Sequence, residues 1–161
     1  MLSSRVAEKH YLDAESRIME DVKVLNSFII EHGQLMEGNC FYGHHQQDLN
    51  IFPEMLIHKR INFVTLLKER YVKKMLEIGF NAGHSASIFL HMLPKDSVFI
   101  PFDLCEHPYT NQCHDYLKSK FPQLKPIVEG DSMKTLPQFI NENPSEVATY
   151  DVIHVDVQHA E

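Results

Sequence analysis

Residues 77–86 read EIGFNAGHSA, with Gly79 and Gly83 four apart, directly after a short apolar run and directly before an apolar helical pattern. Two glycines at such a junction predict a tight turn where a strand feeds a helix, because a residue without Cβ takes positive φ at little cost and lets a ligand reach the backbone. From Val72 onward the runs VKKMLEIG, SVFIPFDL, LKPIVEGD and YDVIHVDV alternate with helix-like segments at about 84–93, 110–121 and 136–141. That alternation is the pattern of successive βα units in a parallel sheet. Thr135 is the expected N-cap of the last helix, which leaves Pro137 in its tolerant first turn. Gly79, Asp103, Asp131 and Asp156 fall at the ends of the four runs. Ligands of open parallel sheets bind outside the carboxyl ends of their strands, so the polar residues gather where a ligand would be.

Upstream of this region the chain reads as helical. Tyr11, Ala14, Ile18, Val22, Leu25 and Ile29 step by three and four, as one face of a helix does, and Gly33 supplies a stop. Pro53 suits a first helical turn, with Ile57, Ile61, Val64, Leu67 and Tyr71 as a second stripe. Between them 34–52 has no sustained period and reads as a loop, expected to act as a lid in which Phe41, Tyr42, His44 and His45 fold over a ligand. Cys40 with His44 and His45 lacks the second ligand pair of a zinc site. The expected organisation is a helical extension or cap over 1–71 and an α/β core over 72–161.

Composition narrows the partners. The 161 residues suffice for one domain with a core, and 22 Asp and Glu against 15 Lys and Arg give −7 with His neutral, which repels a phosphate backbone. Nucleic acid is therefore not an expected partner. Three cysteines without CxxC spacing and no basic-then-apolar leader point to a reducing, cytoplasmic setting. No apolar run approaches the ~20 residues of a membrane span.

Several ligand classes compete for the glycine turn. The helix after it offers free N–H groups and a positive dipole end to a carboxylate or phosphate. Asp103, 20 residues after Gly83, can accept both hydroxyls of a ribose, so turn plus acid suggests an adenosine-containing ligand. Dinucleotide sites want G-x-G-x-x-G, whereas Asn81 stands where the middle glycine belongs, and no Lys follows Gly83 as a Walker loop requires. GHSAS imitates the hydrolase elbow G-x-S-x-G only in part, since Ser87 replaces its last glycine.

MLEIGFNAGHSA resembles the first motif of class I S-adenosylmethionine-dependent methyltransferases, E-x-G-x-x-x-G, in particular that of small-molecule O-methyltransferase-like domains, and YDVIHVDVQHAE is similar to their later D-G-x-H segment. The likeness covers about 72–161 and implies a Rossmann-like open parallel sheet of about four strands, order 3-2-1-4, with helices on both faces. It implies methylation of a small-molecule acceptor, at oxygen. It puts the methionine part of the cofactor against Glu77, Gly79, Asn81 and Gly83, the ribose on Asp103, and the adenine beside Asp131 and Ser132. Asp156 and His159 would face the transferred methyl group, and in metal-dependent relatives an acid at the position of Asp156 binds a divalent cation such as magnesium. Val157 and Gln158 depart from the family, which usually has at least one glycine there.

Plainer readings stand beside these. Gly79 and Gly83 can merely shape a corner, Asp103 and Asp131 can merely cap the helices that follow, and His154 reads as a packed core histidine. The complete fold has seven strands, so the resemblance stops after the fourth. The expected consequence is a fragment, or an exposed fourth-strand edge open to a homodimer or partner chain. A non-catalytic cofactor-binding or interaction module is accordingly the alternative function.

Overall fold

The structure, a computed structural model, describes residues 4–156. Helix α1 (Ser4–Glu31) forms because its apolar stripe can be buried along one line: Tyr11, Ala14, Ile18, Val22, Leu25 and Ile29 are all buried. Each large side chain so covered contributes about 1.5–3 kcal/mol. Helix α2 (Glu54–Glu69) follows Pro53 as expected, but its stripe is shallower, with Val64 and Leu67 buried and Tyr71 beyond its end exposed.

Strands β1 (Lys74–Ile78), β2 (Val98–Asp103), β3 (Val128–Glu129) and β4 (Val152–Val155) make one parallel sheet in the order β3-β2-β1-β4. β3 is only two residues long, and the chain supplies a reason. Pro101 removes an N–H donor from the seam between β2 and the segment leading into β3, so pairing is reduced to a bridge at Phe99 and Leu124 before it resumes at Phe102 and Val128.

Strand alternation sorts the two faces. Met75 and Phe99 point into the larger core, shared with α1, α2, α3 (His84–Met92) and α4 (Thr110–Lys120). Leu76, Ile100 and Phe102 point the other way, where α5 (Ser132–Glu142) covers them with Leu136 and Phe139. The helices thus lie on both faces. α3 and α4 share a face because β1, β2 and β3 are laid down in one direction; α5 crosses over because β4 lies on the other side of β1. The strand order therefore reverses between β1 and β4, which is where open sheets of this kind place their ligands.

Two details differ from expectation. α5 begins at Ser132, capped by the Asp131 carboxylate, which accepts from the Met133 N–H at 2.9 Å, so Pro137 sits inside the helix and Thr135 is not its cap. Segment 34–52 is no free lid, since Phe41 and Tyr42 are fully buried. Asn39 Oδ1 accepts from the N–H of Phe41 and Tyr42, and Arg60 donates to the Cys40 carbonyl at 2.9 Å, which together clamp the loop to α2. A second clamp joins α1 to α3 and α4. Buried Asp21 meets His91 at 2.9 Å, Tyr116 at 2.7 Å, and Lys120. Burial pushes its carboxyl up, but those hydrogen bonds outweigh it and hold Asp21 below the usual carboxylate range.

Candidate active site

The turn after β1 is strained in the way the sequence anticipates. Gly79, Asn81 and Gly83 have φ of 93°, 51° and 78°, and the non-glycine among them is stabilised from outside. The Asn81 backbone N–H donates to Asp103 Oδ2 at 2.7 Å, its side-chain oxygen accepts from Tyr109 at 2.8 Å, and its side-chain amide donates to Glu37. Asp103 also accepts from the Cys105 N–H on Oδ1 at 2.7 Å. One hydrogen bond on each oxygen leaves a lone pair on each, so the Asp103 carboxylate can still take two hydroxyls.

Two cavities open at the carboxyl ends of the strands. The smaller, about 240 Å³, lies between the turn and segment 34–52 and is lined by Gly79, Asn81, His84, Ser85, Tyr109 and the loop residues 36–40 and His44. The larger, about 470 Å³, lies over β2 and β3 and is lined by Asp103, Leu104, Gly130, Asp131, Ser132 and Met133 among others. Glu37, Gly79, Asn81 and Asp156 line both, so the two meet at the reversal point between β1 and β4.

The structure brings most of the singled-out residues to these cavities, and sets two of them back. Gly83 lines neither; a Cβ there would come within 2.8 Å of Phe80 and Leu117, so this glycine allows the corner to pack. Glu77 is fully buried beneath the turn, where Oε1 accepts from Ser85 at 2.6 Å and meets His154 Nδ1 at 3.0 Å. Burial raises the Glu77 carboxyl above the usual range against the opposing pull of His154, and its Oε2 has no partner among the described residues. Asp131 both caps α5 and lines the larger cavity. Asp156 lines both cavities with Lys59 Nζ 3.8 Å away. His159 lies outside the described residues.

Four contributors escape a reading of motifs. Glu37, Lys59 and the stacked pair His107 and Tyr109, 5.0 Å between ring centroids, come from segments without any chemical signature. His154 was legible in principle, because its register opposite Glu77 follows from pairing the fourth run with the first. His84 in the cavity wall is held neutral. Burial lowers its pKa to about 4, and its Nε2 donates to Asn26 Oδ1 at 2.9 Å. Burial also pushes the Cys40 thiol up to about 12, and no group of three metal-ligating side chains exists among the described residues.

The sequence pattern of the O-methyltransferase family matches residues 44–161, well over half of the chain. The chain belongs to the O-methyltransferase family. The match begins inside segment 34–52 and runs through all four strands of this O-methyltransferase-family sheet, including the turn that holds Gly79 and Asn81. Among solved structures it is similar to a protein-L-isoaspartate O-methyltransferase, at 14% identity and a TM-score of 0.48, over 87% of this chain and 48% of that one. The chain thus spans about half the length of that structure. No curated protein matches it in sequence. Among the described residues no helix is long and apolar enough to cross a membrane.

Proposed function

We propose that the chain binds S-adenosylmethionine across the two adjoining cavities and serves methyl transfer to an oxygen of a small-molecule acceptor. The observation that carries this reading is the arrangement of the cavities. They share Gly79 and Asn81 at the strand-order reversal, and one of them holds Asp103 with a free lone pair on each oxygen. The donor set suits such a ligand. Asp103 would hold the ribose hydroxyls, and Asp131, Ser132 and exposed Met133 would flank the adenine. Gly79, Asn81 and Ser85 would face the amino-acid portion, with Glu77 acting from beneath through Ser85 and Gly83 through the packing of the corner.

When bound, S-adenosylmethionine supplies an activated methyl group that an acceptor oxygen takes in an in-line displacement. What remains for the protein is orientation, exclusion of water and a place for the acceptor proton. Segment 34–52 closes the smaller cavity, because buried Phe41 and Tyr42 hold its wall in place. Asp156, with His159 beyond it in sequence, is the proposed proton acceptor, and Lys59 beside it balances the carboxylate until the proton arrives. Among the described residues no group of three metal-ligating side chains forms at Asp156, and the charged group beside it is the Lys59 ammonium.

Titration calorimetry with S-adenosylmethionine and S-adenosylhomocysteine tests the binding step, and Asp103→Ala should weaken both by about tenfold or more through loss of charge-assisted hydrogen bonds. Absence of binding at millimolar ligand would remove the reading. Cofactor turnover with a panel of hydroxylated acceptors tests the transfer step, which Asp156→Ala should abolish even at cofactor concentrations that saturate the variant.

The exposed side of β4 favours a second reading, a cofactor-binding module that pairs with a second copy or a partner chain. Ile153 and Val155 are 58% and 57% exposed, and among the described residues β4 pairs only with β1. Binding without turnover for any acceptor, together with a dimer in ultracentrifugation, would select it.

A further inference from the structure

We propose that Glu37 recognises the sulfonium charge of the cofactor and so distinguishes S-adenosylmethionine from its neutral thioether product; this rests on the cofactor reading above. Glu37 belongs to the loop after α1, outside the sheet and the glycine turn, yet it lines both cavities. Its carboxylate is fixed at both oxygens. Oε2 accepts from the Asn81 side-chain amide, and Oε1 lies 3.3 Å from His107 Nε2. Those partners are themselves fixed, because Tyr109 donates to Asn81 and stacks on His107 at an interplanar angle of 8°. The carboxylate is therefore set in place before any ligand arrives, by the same asparagine that shapes the turn.

Connectivity of the ligand locates the charge. The sulfur joins the amino-acid chain to the adenosyl group, so a molecule with its amino-acid end in the smaller cavity and its nucleoside in the larger must carry its sulfur through their junction. Glu37 and Asp156 are the two carboxylates common to both cavities. A sulfonium has no N–H to donate, so fixed negative charge and oxygen acceptors for its own polarised C–H groups are what a protein can offer it. His84 in the same wall stays uncharged at neutral pH and does not oppose this field. Once the methyl group has left, the sulfur is neutral and the attraction lapses, which favours release of the product.

Calorimetry on the wild type and on Glu37→Gln, with S-adenosylmethionine and S-adenosylhomocysteine side by side, decides the matter. The glutamine keeps an oxygen for Asn81 and removes the charge, with an amide nitrogen in place of the oxygen beside His107. We expect affinity for S-adenosylmethionine to fall about tenfold, the factor equivalent to ~1.4 kcal/mol, with S-adenosylhomocysteine changed less than about twofold. Glu37→Asp should retain part of the preference, and added salt should narrow it in the wild type but not in Glu37→Gln. Equal weakening of both ligands, or an unchanged ratio, overturns the assignment while leaving the cofactor reading intact. A wild type that binds neither ligand overturns both.

Discussion

Acidification from pH 7 to pH 5 should destabilise the wild-type protein by about 2 kcal/mol more than it destabilises His84→Gln, because the buried imidazole must stay neutral to keep its place. The magnitude follows from two values: the ordinary histidine pKa of 6.5 holds in the unfolded chain, and burial lowers it to about 4 in the folded one. The folded state binds its proton less tightly, so the stability is fully present above pH 6.5 and is lost as pH falls toward about 4. At pH 5 the unfolded chain is almost fully protonated at this position and the folded one almost not at all, which gives the ~2 kcal/mol at 1.36 kcal/mol per unit of pKa. Glutamine can still donate to Asn26 Oδ1 but cannot titrate, and every other histidine is common to both proteins. Urea unfolding at half-unit steps of pH reads the difference directly. Parallel stability curves for the two proteins between pH 7 and pH 5 would refute the reasoning, since they would mean that His84 accepts a proton without leaving its hydrogen bond and its contacts with Phe41 and Tyr42.

Gly83→Ala should cost about 2 kcal/mol in chemical unfolding, because it adds left-handed strain to an overlap with Phe80 and Leu117 at 2.8 Å; a loss under about 0.5 kcal/mol would show that the corner yields. Arg60→Met should cost about 2–3 kcal/mol, since the Tyr11 hydroxyl and the Cys40 carbonyl would lose the buried guanidinium that donates to them at 2.7 and 2.9 Å. The same variant should speed proteolysis within 34–52, and unchanged proteolysis would separate that loop from its clamp.

What the sequence revealed and what it concealed divide along a physical line. The α1 stripe was legible because burial along one helix is a local property with a fixed period, and every position in it is buried. The strand ends were legible because Gly79, Asp103, Asp131 and Asp156 each follow an apolar run, and a carboxylate or glycine there is a local signal too. Pro137 suggests a start of α5 at Thr135, but Asp131 is the better cap and the lost bond of Pro137 falls to the carbonyl of Met133, an exposed residue. Segment 34–52 was readable as a loop but not as a buried one, because its aromatic residues have no period and their burial depends on Arg60 and Asn26 in two different helices.

The same division explains why the cavity residues split into two classes. Asn81 is the pivot: as a departure from the G-x-G pattern it was conspicuous, but its purpose lies in partners that no local pattern encodes. A left-handed non-glycine residue needs its side chain and its N–H held from elsewhere, and here Asp103, Tyr109 and Glu37 hold them from three separate segments. A glycine would have made the turn by itself and left Glu37 Oε2 without its amide partner. Asparagine instead ties the shape of the turn to the position of a carboxylate at the junction of the two cavities, so the residue that departs from the dinucleotide fingerprint is also the one that joins the helical segment to the sheet at the site.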